Sequence, residues 1–191
     1  FALNNAVMLS ANDISLKKNR LYCLSRLGET EKCIAQAKEL VLLDKNDSQS
    51  WRMLCASYTK SGDYKNALAA IKSMQSLKLA NADDYSVMGD LYFNLQMYPF
   101  AVDAYKKAGK AVAPEKLGRI SLLLAKAGQY NAAIDIAPDT FSGNAAKGIA
   151  YNGICLYAKA ENAFERAFLQ TAEPPAEIMC QMGYALYSQK K

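Results

Sequence analysis

WRMLCASYTKSGDYKNALAAIKSMQSLKLANADD, residues 51–84, and YSVMGDLYFNLQMYPFAVDAYKKAGKAVAP, residues 85–114, carry one pattern twice. Moved forward by 34 residues, Trp51, Leu54, Cys55, Tyr58, Gly62, Tyr64, Ala67, Ile71 and Met74 fall on Tyr85, Met88, Gly89, Tyr92, Gln96, Tyr98, Ala101, Tyr105 and Ala108. In each copy the first four positions are three and four apart, which puts them on one stripe of a helix. Gly62 and Asp63 then break the helix, and Tyr64, Ala67, Ile71 and Met74 form the stripe of a second one. Small residues such as Ala67 let two such helices approach to roughly 8–10 Å.

Used as a ruler, this pattern divides the chain. Residues 1–13 read as the end of a truncated repeat, residues 15–47 as the first whole repeat, and residues 48–81 and 82–113 as the next two. A helix is expected from about Leu16 to Leu27, opened by Asn12, Asp13 and Ser15 and ended by Gly28. Arg20 stands where later copies have Leu54 and Met88, and its aliphatic stem can snorkel across the position. After Pro114 the spacing shortens: Gly128 follows Gln96 by 32 residues and Cys155 follows Gly128 by 27. Residues 114–141 therefore form a shortened repeat, its second helix beginning at Tyr130 and stopped by Pro138, which lacks the amide donor and clashes with the preceding turn. Residues 142–173 return to the rule with Gly148, Tyr151, Tyr157, Ala160, Phe164 and Ala167. Residues 175–191 supply the first helix of a further repeat, with Met179, Met182 and Leu186 uncovered.

A 34-residue period with these residue types resembles the tetratricopeptide repeat. The resemblance spans nearly the whole chain. It implies an all-α fold, a right-handed α-solenoid of antiparallel helix pairs (a TPR superhelix), in which the first helix of each repeat lines a concave groove that binds peptides or partner helices. It also implies a non-catalytic protein-interaction scaffold within a larger protein or assembly.

Composition agrees with a folded chain: 51% of residues are hydrophobic and five are proline, so apolar surface is ample. The net charge of +5 is spread along the sequence rather than gathered in the stripe or tail that a nucleic-acid binder displays. The five cysteines lack C-x-x-C spacing and are odd in number. Cys33 and Cys55 fall at small packing positions, so a reducing, cytoplasmic setting is expected.

The chain has no histidine, which removes Ser-His-Asp and Cys-His centres and histidine-bearing zinc sites. Its glycines build no phosphate-cradling loop. Asp83 and Asp84 sit at a helix start, where acidic groups suit the positive end of the helix dipole. No catalytic residue, cofactor or metal is expected.

Residues facing away from the packing stripe are the candidates for partner contact. On the helix from Ser48 these are Gln49, Arg52, Ala56, Thr59 and Lys60. The same offsets select Lys18, Tyr22, Ser25 and Arg26 before it, and Asp83, Ser86, Asp90, Phe93 and Asn94 after it. Further on they select Glu115, Leu122 and Lys126, then Ala145, Ile149 and Asn152, and last Glu177, Cys180 and Tyr184. The expectation is that Lys18, Arg26, Arg52 and Lys60 attract an acidic segment, while Leu122, Ile149 and Tyr184 accept an apolar helix or extended chain. The amides with which some members of this family grip a terminal carboxylate are missing, since Tyr22, Met53, Ala56 and Val87 occupy the equivalent places.

Two other readings stay open on sequence: an RNA-binding helical repeat, and a TPR segment of a secretion or polysaccharide-export machine. Self-association through uncapped ends is a further expectation, because an array cut inside a repeat leaves an apolar face uncovered.

Overall fold

The computed structural model describes residues 13–190; the helix end expected within residues 1–11 lies outside them. Every regular element among the described residues is helical. The chain divides into two compact units, residues 1–96 and 97–191.

Unit 1 contains α1 (Ile14–Leu27), α2 (Thr30–Leu43), α3 (Ser48–Lys60), α4 (Tyr64–Ser76) and α5 (Ala82–Asn94). Each packs on the next, and α1 also touches α3. Local chemistry fixes the starts. The Asp13 carboxylate accepts from the amides of Ser15 and Leu16 at 2.8 and 3.2 Å. A reciprocal capping box opens α5, with the Asp84 amide donating to Asn81 Oδ1 at 3.0 Å and the Asn81 amide to Asp84 Oδ2 at 2.9 Å, satisfying two otherwise orphan donors.

The interior of unit 1 holds Leu21, Ala37, Leu40, Leu54, Ala67, Ile71, Met74, Met88 and Leu91. Cys33 and Cys55 lie at 2% exposure each, and burial raises both thiol pKa values, that of Cys55 to about 11. Trp51 differs from its expected role: it is half-buried, because its indole nitrogen reaches the Lys45 carbonyl at 2.9 Å. Arg20 goes beyond snorkelling. It donates to Gln36 Oε1 at 2.8 Å, Gln36 donates to Glu39 at 2.9 Å, and Lys17 pairs with the same Glu39. The α1–α2 contact is thus polar at a position where the later pairs are apolar.

Unit 2 contains α6 (Tyr98–Ala108), α7 (Pro114–Lys126), α8 (Tyr130–Ile136), α9 (Phe141–Gly153), α10 (Tyr157–Phe168) and α11 (Ala176–Ser188). Here α8 packs on α6, α7 and α9, while α9 carries α7, α10 and α11. The helix α8 has seven residues and ends at Ile136, and Ala137 is extended, as the residue before a proline prefers.

Among the tight contacts of unit 2, those at Gly143 and Gly148 leave no room for a side chain. A Cβ on Gly143 would lie 2.2 Å from the Pro138 carbonyl oxygen, and one on Gly148 would lie 2.4 to 2.6 Å from three atoms of the Phe164 ring. Phe164 is fully buried at 0% exposure.

The turn positions that define the sequence ruler share one backbone state. Gly28, Gly62, Gln96, Gly128 and Cys155 have φ of 76°, 78°, 57°, 74° and 59°. At Gly62 the amide bonds the Thr59 carbonyl at 3.1 Å and the next amide bonds the Tyr58 carbonyl at 2.9 Å, and the same pair recurs at Gly28, Gly128 and Cys155. This is a left-handed helix cap that satisfies the last carbonyls.

Candidate functional site

On α3, the buried stripe Leu54, Cys55 and Tyr58 leaves Ala56 and Lys60 exposed, with Arg52 and Thr59 half-buried. A cleft of about 430 Å³ opens here, between α3 and α5. Cys55 and, from α4, Ile71 line its buried side; Ala56 and Val87 are its exposed apolar groups; Asn81 and Asp83 supply polar edges. Val87 is 39% exposed, so the cleft presents apolar surface rimmed by polar groups.

Arg52 and Asp84 also line the cleft, and they occupy each other. Arg52 Nε donates to Asp84 Oδ1 and Nη2 to Oδ2, both at 2.8 Å, while Nη1 reaches Ser48 Oγ at 3.2 Å. Asp84 is 3% exposed. Burial raises its carboxyl pKa, but the hydrogen bonds from Arg52 and the Asn81 amide outweigh burial and hold it below the ordinary value. Arg52 therefore acts as a fixed strut between two helices: a planar fork matched to a carboxylate, with its charge largely neutralised.

A second cleft, of about 100 Å³, adjoins the first through Ala56 and is lined also by Ser25, Gly28, Thr30, Cys33, Ser57 and Lys60. Of the other candidates in unit 1, Tyr22 is 60% exposed and Arg26 is exposed. Lys18 pairs with Asp47 at 3.0 Å. Phe93 and Asp90 are half-buried, and the exposed Asn94 donates to the Asp90 carbonyl at 2.8 Å. Within the expected basic set, then, Lys18 and Arg52 are engaged inside the unit, while Arg26 and Lys60 project outward.

In unit 2 the residues expected to form an apolar groove are partly engaged within the unit. Ala145 is fully buried in a cluster with Ala160, Phe164, Ala167, Ile178 and Ala185, against which Leu122, Ile149 and Met182 pack. Asn152 is 6% exposed, and its Nδ2 donates to the Gln181 carbonyl at 2.8 Å. Lys126 pairs with Glu177 at 2.8 Å. The faces of α7 and α9 assigned to a partner are thus met in part by the chain's own α11, with Leu122 and Ile149 half-buried and Lys126 exposed. Tyr184, on α11, stays 52% exposed and meets Tyr157 edge to face at 5.9 Å between centroids.

The offsets therefore located Arg52, Ala56 and Asp83 at the cleft. They missed Ile71, Asn81 and the Arg52–Asp84 link, because a helix period says nothing of which neighbour a face meets. Among the described residues there is no cluster of three or more His, Cys, Asp or Glu suited to a metal, and no helix long and apolar enough to cross a membrane.

No protein-family model and no curated protein matches the chain. Solved structures do match it, and they define the class: an all-α solenoid with the tetratricopeptide-repeat fold. One is MamA, 20% identical, with 85% of this chain and 98% of that one covered at a TM-score of 0.66. Another is YrrB, described as a TPR protein with an unusual peptide-binding site, 18% identical over 100% of this chain and 99% of that one, TM-score 0.66. A third is a tetratricopeptide repeat protein from Parabacteroides merdae ATCC 43184, 17% identical, covering 98% and 78%, TM-score 0.60. At these identities the likeness establishes the fold.

Proposed function

We propose that the chain is a protein-interaction scaffold that takes a peptide segment of its partner into the cleft between α3 and α5. The observation that carries this reading is the cleft itself: an opening of about 430 Å³, within the size range of sites for small ligands, on the helix faces that the repeat offsets leave unpacked. Ala56 and Val87 suit an apolar side chain of the peptide, and Asn81 suits a main-chain group. Arg26 and Lys60 lie outside the Arg52–Asp84 pair and suit an acidic residue flanking the apolar one. The peptide-binding site described for YrrB supports the same use of this fold.

The test is capture from the native cell by the full-length protein, with partners quantified by mass spectrometry, for wild type, Ala56→Arg and the control Lys65→Glu. Ala56 is exposed, so Arg fills the cleft without entering the core. Loss of a partner set with Ala56→Arg alone supports the cleft; identical sets from all three reject it.

A further inference from the structure

We propose that the trough between α9 and α10 is a second binding site, one that takes an extended acidic peptide segment. Its origin is the break in the repeat. The second helices α2, α4, α6 and α10 have 14, 13, 11 and 12 residues, and α8 has seven. Along α9, the ring of Tyr130 sits against Gly153 and Pro138 against Gly143, so the chain leaves the helix where its counterparts add another turn or more. The trough is lined by α9 and α10 alone, with a volume of about 450 Å³.

Its polar lining is Asn144, Lys147 and Tyr151 from α9 and Lys159, Asn162 and Arg166 from α10. No salt bridge among the described residues engages any of these three cations. The nearby counter-charge is Asp139, at the loop after α8, and its carboxylate already accepts from Asn144 Nδ2 at 2.7 Å and Gln170 Nε2 at 3.3 Å. The lining itself holds three cations and no carboxylate, which gives the trough positive potential.

The arrangement selects among anions. Lys159 and Arg166 are seven residues apart on one helix, or about 10 Å at roughly 1.5 Å per residue. A compact anion such as phosphate meets both only if the two long side chains fold inward, whereas a chain in the extended polyproline II conformation, with three residues per turn and a rise of about 3.1 Å each, presents carboxylates at i and i+3 on one side at about that spacing. Asn162 suits the intervening main chain. A single-stranded nucleic acid would need open aromatic faces for its bases; the one ring here, Tyr151, has Lys159 Nζ over it at 5.8 Å from the centroid. The observations favour peptide over nucleic acid.

The test uses the full chain and a fluorescein-labelled peptide of three Glu-Ser-Gly repeats, read by anisotropy, beside its Gln-Ser-Gly counterpart. The Glu peptide is expected to bind, to weaken with added salt, and to lose affinity about tenfold or more with Lys147→Glu/Arg166→Glu. Lys65→Glu and the cleft-filling Ala56→Arg are expected to leave it bound, which separates this site from the cleft of unit 1. Should the double reversal fail to fold by circular dichroism, Lys147→Ala/Arg166→Ala gives the same reading with a smaller loss. The proposal is overturned by absence of binding, by equal binding of the Gln peptide, or by a double variant that binds like wild type. It is also overturned if Ala56→Arg abolishes binding, if inorganic phosphate competes at the peptide's own concentration, or if an RNA nonamer binds more tightly.

Discussion

Gly148 and Gly183 are both interior helix glycines of unit 2, and the structure assigns opposite signs to their replacement by alanine. A Cβ on Gly183 meets nothing within 4 Å, so Gly183→Ala should only reduce the freedom of the unfolded chain, stabilising by about 0.5–1 kcal/mol. A Cβ on Gly148 would meet three ring atoms of Phe164 at 2.4 to 2.6 Å. Ordinary contact needs about 1 Å more, and the ring is fully buried at 0% exposure with Ala160 and Ala167 beside it. Overpacking of this kind costs roughly 3 kcal/mol at the upper end of its usual range, and the helix-propensity gain of alanine offsets about 1 of that. The net expectation for Gly148→Ala is a loss of about 2 kcal/mol. At a urea slope near 2 kcal/mol per molar, the midpoint followed by far-UV circular dichroism falls by about 1 M. Shrinking the ring tests the cause: Gly148→Ala/Phe164→Leu should be less destabilised than the sum of its single variants by about 1 kcal/mol or more, since neighbours in contact are not additive. A Gly148→Ala protein as stable as wild type would refute the argument.

The remaining predictions concern Asp84 and the cysteines. Asp84→Asn should destabilise at neutral pH by about 2 kcal/mol, a value below that of a fully buried ion pair because the Arg52 side chain is 36% exposed. The sign with pH follows from the folded-state pKa of Asp84, lowered from 3.8: its contribution is fully present above about 3.8 and is lost as pH falls through the lowered value. Urea midpoints of wild type and Asp84→Asn should therefore converge at acid pH, and a constant gap would contradict the pairing. Cys33 and Cys55 are buried while Cys23, Cys155 and Cys180 are exposed, so a thiol reagent at pH 8 should modify three cysteines rapidly and two only on unfolding, as mass spectrometry after a short pulse would show. Fast labelling of Cys55 would mean that the cleft opens to its buried side.

Much of this fold is set by short-range chemistry, and that part was legible. The left-handed caps at Gly28, Gly62, Gln96, Gly128 and Cys155 follow one another in the sequence because each closes a helix of similar length. Small and aromatic residues between them repeat because every helix pair meets the same packing problem. Pro138 likewise announced a seven-residue helix, since a missing amide acts within its own turn. Arg20, read as a stem crossing an apolar seam, instead joins Gln36; its partner sits sixteen residues away on another helix, beyond what a local pattern reports.

Candidate binding faces were legible only in part, for the same reason. Helical periodicity states which side of a helix looks away from its own packing stripe, and so it placed Tyr22, Arg26, Ala56 and Lys60 on exposed surface. It is silent about what a third element then covers. Arg52 is taken by Asp84, 32 residues on, and Asn152 by Gln181, 29 residues on. Ile149, read as open groove, packs on the cluster that holds Ile178 and Ala185 of α11. By itself the sequence determined the repeat, the caps, the shortened α8 and the absence of histidine chemistry, each a matter of residue type at short spacing. Only the tertiary structure decided which faces remain free and that Lys147, Lys159 and Arg166 border one trough, because burial and charge pairing are properties of helices brought together.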